Sequence, residues 1–116
     1  MNIALIIIGG FYAFLAIGSA SGKFFRNPQV IAGVKSVGVS DRYIPVLAVL
    51  EILGGLGLIL GIWSRSLAIA AVTGLILYFF GAVCAHIRVR DSFKNSVPPA
   101  VLTLLGVVVL LLEAHR

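Results

Sequence analysis

Charged residues are scarce in this chain: Asp, Glu, Lys and Arg make up 11% of its 116 residues, whereas 60% are hydrophobic. A soluble domain carries about twice that share of charge, so the composition excludes an ordinary soluble protein. The few charges are unbalanced, with nine Lys and Arg against four Asp and Glu. Because the basic residues stand singly between long apolar runs and form no stripe, they do not predict binding to nucleic acid.

Cysteine and histidine are also scarce. The single cysteine, Cys84, excludes a disulfide framework, a cysteine zinc site and a CxxC redox pair. The two histidines, His86 and His115, lie at opposite ends of their predicted helices, which excludes a haem held by both of them. Dinuclear metal sites in helical bundles need several carboxylates and Glu-x-x-His pairs, which are missing here. We therefore expect no metal site.

Four long apolar runs dominate what is present, at about residues 3–20, 44–62, 67–85 and 97–112. Crossing a hydrocarbon core takes about 20 apolar residues. The fourth run is short, so it can cross only if flanking residues extend the helix or the bilayer is locally thinner. None of the runs alternates as barrel strands do, and backbone groups in lipid must be satisfied within the segment. The sequence predicts an all-α membrane protein, an antiparallel four-helix transmembrane bundle formed by one domain, 1–116.

The first run is also compatible with a signal peptide, because Ser19, Ala20 and Ser21 offer small residues for cleavage. However, no Lys or Arg precedes the run, and its apolar stretch exceeds that of an ordinary signal sequence. These two features favour an uncleaved helix.

The connection between the first two runs carries signals of its own. Asn27 followed by Pro28 is typical of a helix start, and Gly38 of a helix end. Between them, one face of the predicted helix carries only apolar residues: Val30, Ile31, Val34 and Val37. We expect a short amphipathic helix over about 28–37 that lies in the membrane interface or over the mouth of the bundle. The alternative is an ordinary solvated connection.

The distribution of Lys and Arg predicts the orientation. The first and third loops hold seven of them, namely Lys23, Arg26, Lys35, Arg42, Arg88, Arg90 and Lys94. The opposite side holds two, Arg65 and Arg116. Because cytoplasmic loops are enriched in Lys and Arg, we expect the first and third loops in the cytoplasm and both termini outside.

Small residues recur at the spacing that lets membrane helices approach closely. Four pairs have it: Gly18 and Gly22, Gly57 and Gly61, Ala70 and Gly74, and Gly81 and Ala85. A 12.2 kDa bundle buries little surface alone. We therefore expect a homo-oligomer or a subunit of a larger membrane complex, in contact with membrane lipid.

Glu51 is the only charged residue inside the four runs. A carboxylate there costs several kcal/mol unless it is paired, protonated or exposed to a cavity. Glu51 lies about 10 Å along its helix from Ile44, at 1.5 Å per residue, on the side where the first and third helices end. The candidate ligand-binding residues at this mouth of the bundle and just below it are Glu51, Lys23, His86, Arg88, Tyr12 and Tyr78.

Three interpretations of Glu51 remain open from the residues alone. In the first, the carboxylate orients a quinone-like or lipidic molecule bound between apolar walls. In the second, Glu51 is the proton donor or acceptor of a membrane-embedded, isomerase-like enzyme, with His86 as its relay. In the third, Glu51 pairs with Lys23 or His86 only to fix the helix register of a scaffold subunit that has no ligand.

Several segments, in this order, resemble the DoxX-like family of small bacterial membrane proteins. They are GSASGK at 18–23, VGV at 37–39, AVLEILGG at 48–55 and FFGAVCAH at 79–86, within a similarity over about 7–112. The resemblance implies a four-helix bundle in the bacterial cytoplasmic membrane, with Glu51 and His86 at recurrent polar sites. The family is named for a subunit of a thiosulfate:quinone oxidoreductase, which implies a bound quinone or a redox complex. Similar folds in sterol-isomerase-type and cargo-receptor proteins imply a lipidic pocket.

The predicted topology can be tested by cysteine-accessibility mapping. Cysteines placed at Ser64 and at Asn95 should be labelled from opposite sides of the membrane, because one predicted helix separates the two loops. Labelling of both positions from the same side would contradict the four-helix topology.

Overall fold

The computed structural model describes residues 3–89 and 93–116, with the side chains of 3–89 and 96–116. A short 3₁₀ turn at Asp41–Tyr43 precedes the third helix. Within the described ranges, the helices are α1 (Ile3–Phe24), α2 (Pro28–Ser36), α3 (Ile44–Leu60), α4 (Arg65–Arg88) and α5 (Phe93–Ala114). Four of them are long and apolar enough to cross a membrane, which confirms the predicted all-α membrane architecture.

The four long helices form an up-and-down bundle in which each packs on its neighbour along the chain. α1 packs on α3, α3 on α4 and α4 on α5, while α1 also contacts α5 and closes the ring. At the centre, Tyr12, Ala13 and Ala16 of α1 meet Leu75 and Phe79 of α4. Because α1 presents mostly small side chains to the core, the helices can approach closely around it.

Three of the long helices extend beyond the apolar runs that predicted them. α1 continues to Phe24 and α4 to Arg88, so Lys23 and His86 lie within helical turns. The reason is that a charge ends an apolar run but does not interrupt the backbone hydrogen bonds of a helix. By contrast, α3 ends at Leu60, two residues before the predicted boundary.

The last helix begins four residues before the fourth apolar run, which was predicted to start at about residue 97. α5 begins at Phe93, so Pro98 and Pro99 lie inside the helix. Because proline lacks the backbone N–H, these two residues leave two carbonyls of the first turn of α5 without their usual helical partners. The hydroxyl of Thr103 donates to the carbonyl of Pro99 at 2.7 Å. Arg90, and the side chains of Lys94 and Asn95, lie outside the described residues.

The short helix predicted between the first two membrane helices is present, as α2. The side chain of Asn27 accepts hydrogen bonds from the amides of Gln29 and Val30, at 3.1 and 3.4 Å, as an N-cap does. Pro28 occupies the first turn. Beyond the helix end, Gly38 has φ +92°, a left-handed conformation that favours glycine.

The glycines of the small-residue pairs fall into two groups. A Cβ on Gly61 would lie 2.6 Å from the Cα of Ala68, and one on Gly57 would lie 3.1 Å from the Cβ of Ala71. These two glycines therefore bring α3 and α4 together. In contrast, a Cβ on Gly18, Gly74 or Gly81 would meet nothing within 4 Å.

This difference predicts the effect of adding one methyl group. Gly61→Ala should destabilise the protein by about 1–3 kcal/mol, because the new Cβ meets the backbone of α4, which cannot move aside. Gly18→Ala, at an exposed position of α1, is the matched control and should change stability by less than about 1 kcal/mol. Thermal unfolding of both variants in one detergent would measure the difference. Equal melting temperatures would contradict the close packing of α3 on α4.

Candidate ligand-binding site

Glu51 is fully buried in the bundle and forms an ion pair with Lys23. The carboxylate oxygen Oε1 lies 2.5 Å from Nζ of Lys23, whose side chain is 10% exposed. Nζ also donates to the hydroxyl of Ser19 at 3.3 Å. The pair links α1 to α3, and it neutralises a carboxylate that would otherwise be too costly to bury in an apolar bundle.

Tyr78 brings α4 into the same cluster. Its hydroxyl donates to Oε1 of Glu51 at 2.9 Å, and its ring lies 5.8 Å from Nζ of Lys23. Oε1 therefore accepts from two donors, whereas Oε2 is buried and has no hydrogen-bond partner within the described part of the chain. The cluster of Lys23, Glu51 and Tyr78 fixes three helices relative to one another at this depth.

A cavity of about 800 Å³ adjoins this cluster. α2 forms one wall through Val30, Gly33, Val34 and neighbouring residues, and the ends of α1 and α4 and the start of α5 form the others. Most of the lining is apolar, including Leu47, Phe79, Pro99 and Leu102. The apolar face predicted for α2 therefore faces this cavity.

The polar groups of the cavity wall are few and come from three helices. They are Ser19, Lys23, Gln29, Tyr78 and His86. Glu51 does not line the cavity but lies behind Lys23 and Tyr78, both of which contact it. A molecule in the cavity would thus meet the cationic side of the ion pair and not its carboxylate.

The other two candidate residues lie apart from this group. Arg88 does not line the cavity; its guanidinium donates to the carbonyl of Val37, beyond the end of α2, at 3.5 Å. Tyr12 lies in the core, where its ring packs edge-on against Phe79 and its hydroxyl faces Gly106 of α5. The structure thus brings Glu51, Lys23 and Tyr78 into direct contact and adds His86 on the cavity wall.

Two polar residues of the cavity wall were missed by the sequence analysis. Ser19 precedes Lys23 by four residues, so the helical spacing alone could have placed both on one face of α1. Gln29 had no comparable signal, because nothing in the sequence shows which way α2 lies across the bundle. A buried carboxylate, Glu113, was missed as well, since it stands just outside the fourth apolar run.

Glu113 belongs to a second polar cluster at the opposite end of the bundle. Arg116 forms an ion pair with it at 3.0 Å and also donates to the carbonyls of Gly61 and Ile62. Arg65 donates to the backbone carbonyls of Glu113 and Ala114. These bonds tie the end of α5 to the turn between α3 and α4, so this cluster closes the bundle at that end.

Exposed ion pairs hold the segment around α2. Asp41, just before α3, lies 3.0 Å from the guanidinium of Arg26 and 3.0 Å from Nζ of Lys35. Val30 of α2 packs against Gly22 of α1, where a Cβ would lie 3.0 Å from a Val30 methyl group. Contacts at both ends therefore hold α2 beside the cavity.

Comparison with known proteins supports the resemblance seen in the sequence. A search of curated proteins and a search of solved structures each found no match. The model of the DoxX-like family matches residues 7–109, which include the ion pair and all of the residues that line the cavity. The chain is therefore a small integral membrane protein that belongs to the DoxX-like family.

Proposed function

We propose that the chain binds a quinone-like or lipidic molecule in the cavity beside α2. The observation that carries this proposal is the cavity itself, about 800 Å³ of largely apolar space with Lys23, Tyr78 and His86 on its wall. Small-molecule sites are typically about 300–1,000 Å³, mostly apolar, with a few polar groups that orient the ligand. The apolar wall would supply affinity for the chain or ring of the ligand, and the polar groups would hold its head.

The position of Glu51 favours this binding role over direct acid–base chemistry. Because Glu51 lies behind Lys23 and Tyr78, a proton from its carboxyl group would have to pass through one of them to reach a ligand. In the binding role, Glu51 holds Lys23 and Tyr78 at the wall, which is the geometry observed. The same contacts would also suit a scaffold subunit, but a scaffold role does not account for the cavity beside them.

Mass spectrometry of lipid extracts from the purified protein tests this proposal. We expect a co-purifying amphiphilic molecule, and a higher melting temperature when quinones or sterol-like lipids are added, because a ligand that binds only the folded state stabilises it. No co-purifying small molecule, together with no thermal shift, would contradict ligand binding and favour the scaffold interpretation.

A pair of variants on α4 shows whether the ligand occupies this cavity. Ala82→Trp places a large side chain in the cavity wall and should abolish both the co-purification and the thermal shift. Ile87→Trp adds the same side chain at an exposed position of the same helix that does not line the cavity, and it should preserve both. Equal behaviour of the two variants would place the ligand elsewhere.

We further propose that the chain lies in the bacterial cytoplasmic membrane with both termini outside. The excess of Lys and Arg near the cavity end supports this orientation. Exposed aromatic side chains at both ends, Phe25 and Tyr43 near the cavity and Trp63 at the opposite turn, are typical of membrane interfaces. The cavity would then open near the cytoplasmic surface.

The outward small residues support an assembly with a second copy or with another membrane subunit. Ala70 and Gly74 lie on the exposed side of α4, and Gly74 has open space where a Cβ would be. We expect native mass spectrometry in mild detergent to detect an oligomer or a complex, and Gly74→Leu to weaken it, because close helix contacts need small residues. A wild-type protein that is only monomeric, without partners, would contradict the assembly.

A further inference from the structure

The cavity wall has an uneven distribution of charge. Of the ion pair between Lys23 and Glu51, only Lys23 lines the cavity. The other polar lining groups are Ser19, Gln29, Tyr78 and His86, and the described lining contains no carboxylate. A negatively charged group in the cavity would therefore meet a fixed ammonium and several donors. A positively charged group would meet the ammonium with no anion beside it.

Lys23 has capacity for one more partner. An ammonium group has three N–H donors, and those of Lys23 serve Glu51 and Ser19 among the described residues. A ligand acceptor in the cavity can take the third. Charge then sets a limit: the pair of Lys23 and Glu51 is neutral, so an added anion leaves one uncompensated negative charge in an apolar, weakly polarisable surrounding.

We propose that the cavity selects an amphiphile with an anionic head group, and that each binding event adds one proton to Glu51. The proposal rests on the ligand-binding function proposed above and specifies its ligand. Lys23 then compensates the ligand, and a neutral Glu51 needs no cation. The proton comes from solvent and forms one O–H bond at the carboxyl group; no other bond is made or broken.

The surroundings of Glu51 fit a neutral carboxyl group as well as a paired carboxylate. Oε2 is buried without a partner among the described residues, so it can carry the proton, while Oε1 still accepts from Tyr78. The titratable groups near Glu51 are Lys23 and Tyr12 on α1 and Tyr78 on α4, with His86 farther along the cavity wall. From α2 and α5, the described lining contributes no titratable side chain. His86 is thus the competing acceptor for the proton.

Isothermal titration calorimetry of the full chain in phosphatidylcholine nanodiscs would test the proposal. The probe is decanesulfonate, because its head keeps one negative charge at every working pH, and titrations into empty nanodiscs are subtracted. Comparing buffers with different heats of ionisation gives the number of protons taken up. We expect about one proton per bound probe. Because binding takes up a proton, affinity should rise as the pH falls, by up to about tenfold for each pH unit.

Two matched variants show which residue takes up the proton when the probe binds. Glu51→Gln keeps the shape but removes the charge, so decanesulfonate should bind with no proton uptake, with little pH dependence and more tightly than to the wild type. Glu113→Gln removes the other described buried carboxylate, at the far end of the bundle, and should behave as the wild type does. Undiminished uptake in Glu51→Gln would overturn the assignment and move the proton to His86. If Glu51→Gln does not fold, the wild type still decides: binding without proton uptake overturns the proposal.

Probes that share the alkyl chain of decanesulfonate but carry other head groups show whether a failed result contradicts the selection for an anion or the proposed function itself. Decanol and decyltrimethylammonium should bind at least about tenfold more weakly than decanesulfonate, and methanesulfonate should also be weak because it lacks the apolar chain. Tighter binding of decanol or of the cation would overturn selection for an anion but leave a lipid-binding cavity. No binding of any chain-bearing probe, or of a decyl-substituted quinone, would contradict the proposed function itself.

Discussion

The ion pair between Lys23 and Glu51 is the constraint on which the cavity end of the bundle depends. A fully buried carboxylate in an apolar helix must have a cation or a proton, and here the cation comes from the last turn of α1. That requirement sets the height of α1 against α3, and the bond from Tyr78 sets α4 against both. Apolar side chains alone would allow these helices to slide, because lipid is as favourable a neighbour for them as another helix. The polar cluster removes that freedom.

The segment around α2 depends on weaker interactions but has an equally definite place. Each exposed ion pair of Asp41 contributes little, typically about 0–1 kcal/mol. Its two pairs nevertheless span the start and the end of α2, the N-cap of Asn27 fixes where the helix begins, and Gly38 lets the chain turn back toward α3. With its ends held, α2 presents its apolar face to the cavity. A segment held by weak contacts opens more easily than a tightly packed one, so α2 could move aside if a lipid-sized molecule entered the cavity past it.

The sequence was sufficient for the fold and for part of the site, and the physical reason differs from feature to feature. Apolar runs predict which segments cross the membrane, because partition into lipid depends on composition. They do not predict where a helix ends, since Lys23 and His86 lie beyond the end of an apolar run but still within a helix. The approach of Lys23 to Glu51 followed from depth and charge. The tilt of α2, which brings Gln29 to the cavity, depends on contacts between distant residues, and no local pattern encodes them.

The two ends of the bundle show why burial of a carboxylate is not by itself a sign of function. Glu113 and Glu51 are both buried and both paired with a cation. At Glu113 the partner Arg116 also donates to the carbonyls of Gly61 and Ile62, so its described bonds stay within the chain and connect α5 to the turn between α3 and α4. At Glu51 the partner cation lines a cavity, and one of its three donors has no partner among the described residues. What distinguishes the two clusters is therefore where the open space lies: the cation of the Glu51 pair lines a cavity, whereas the described bonds of the Glu113 cation join parts of the chain to one another.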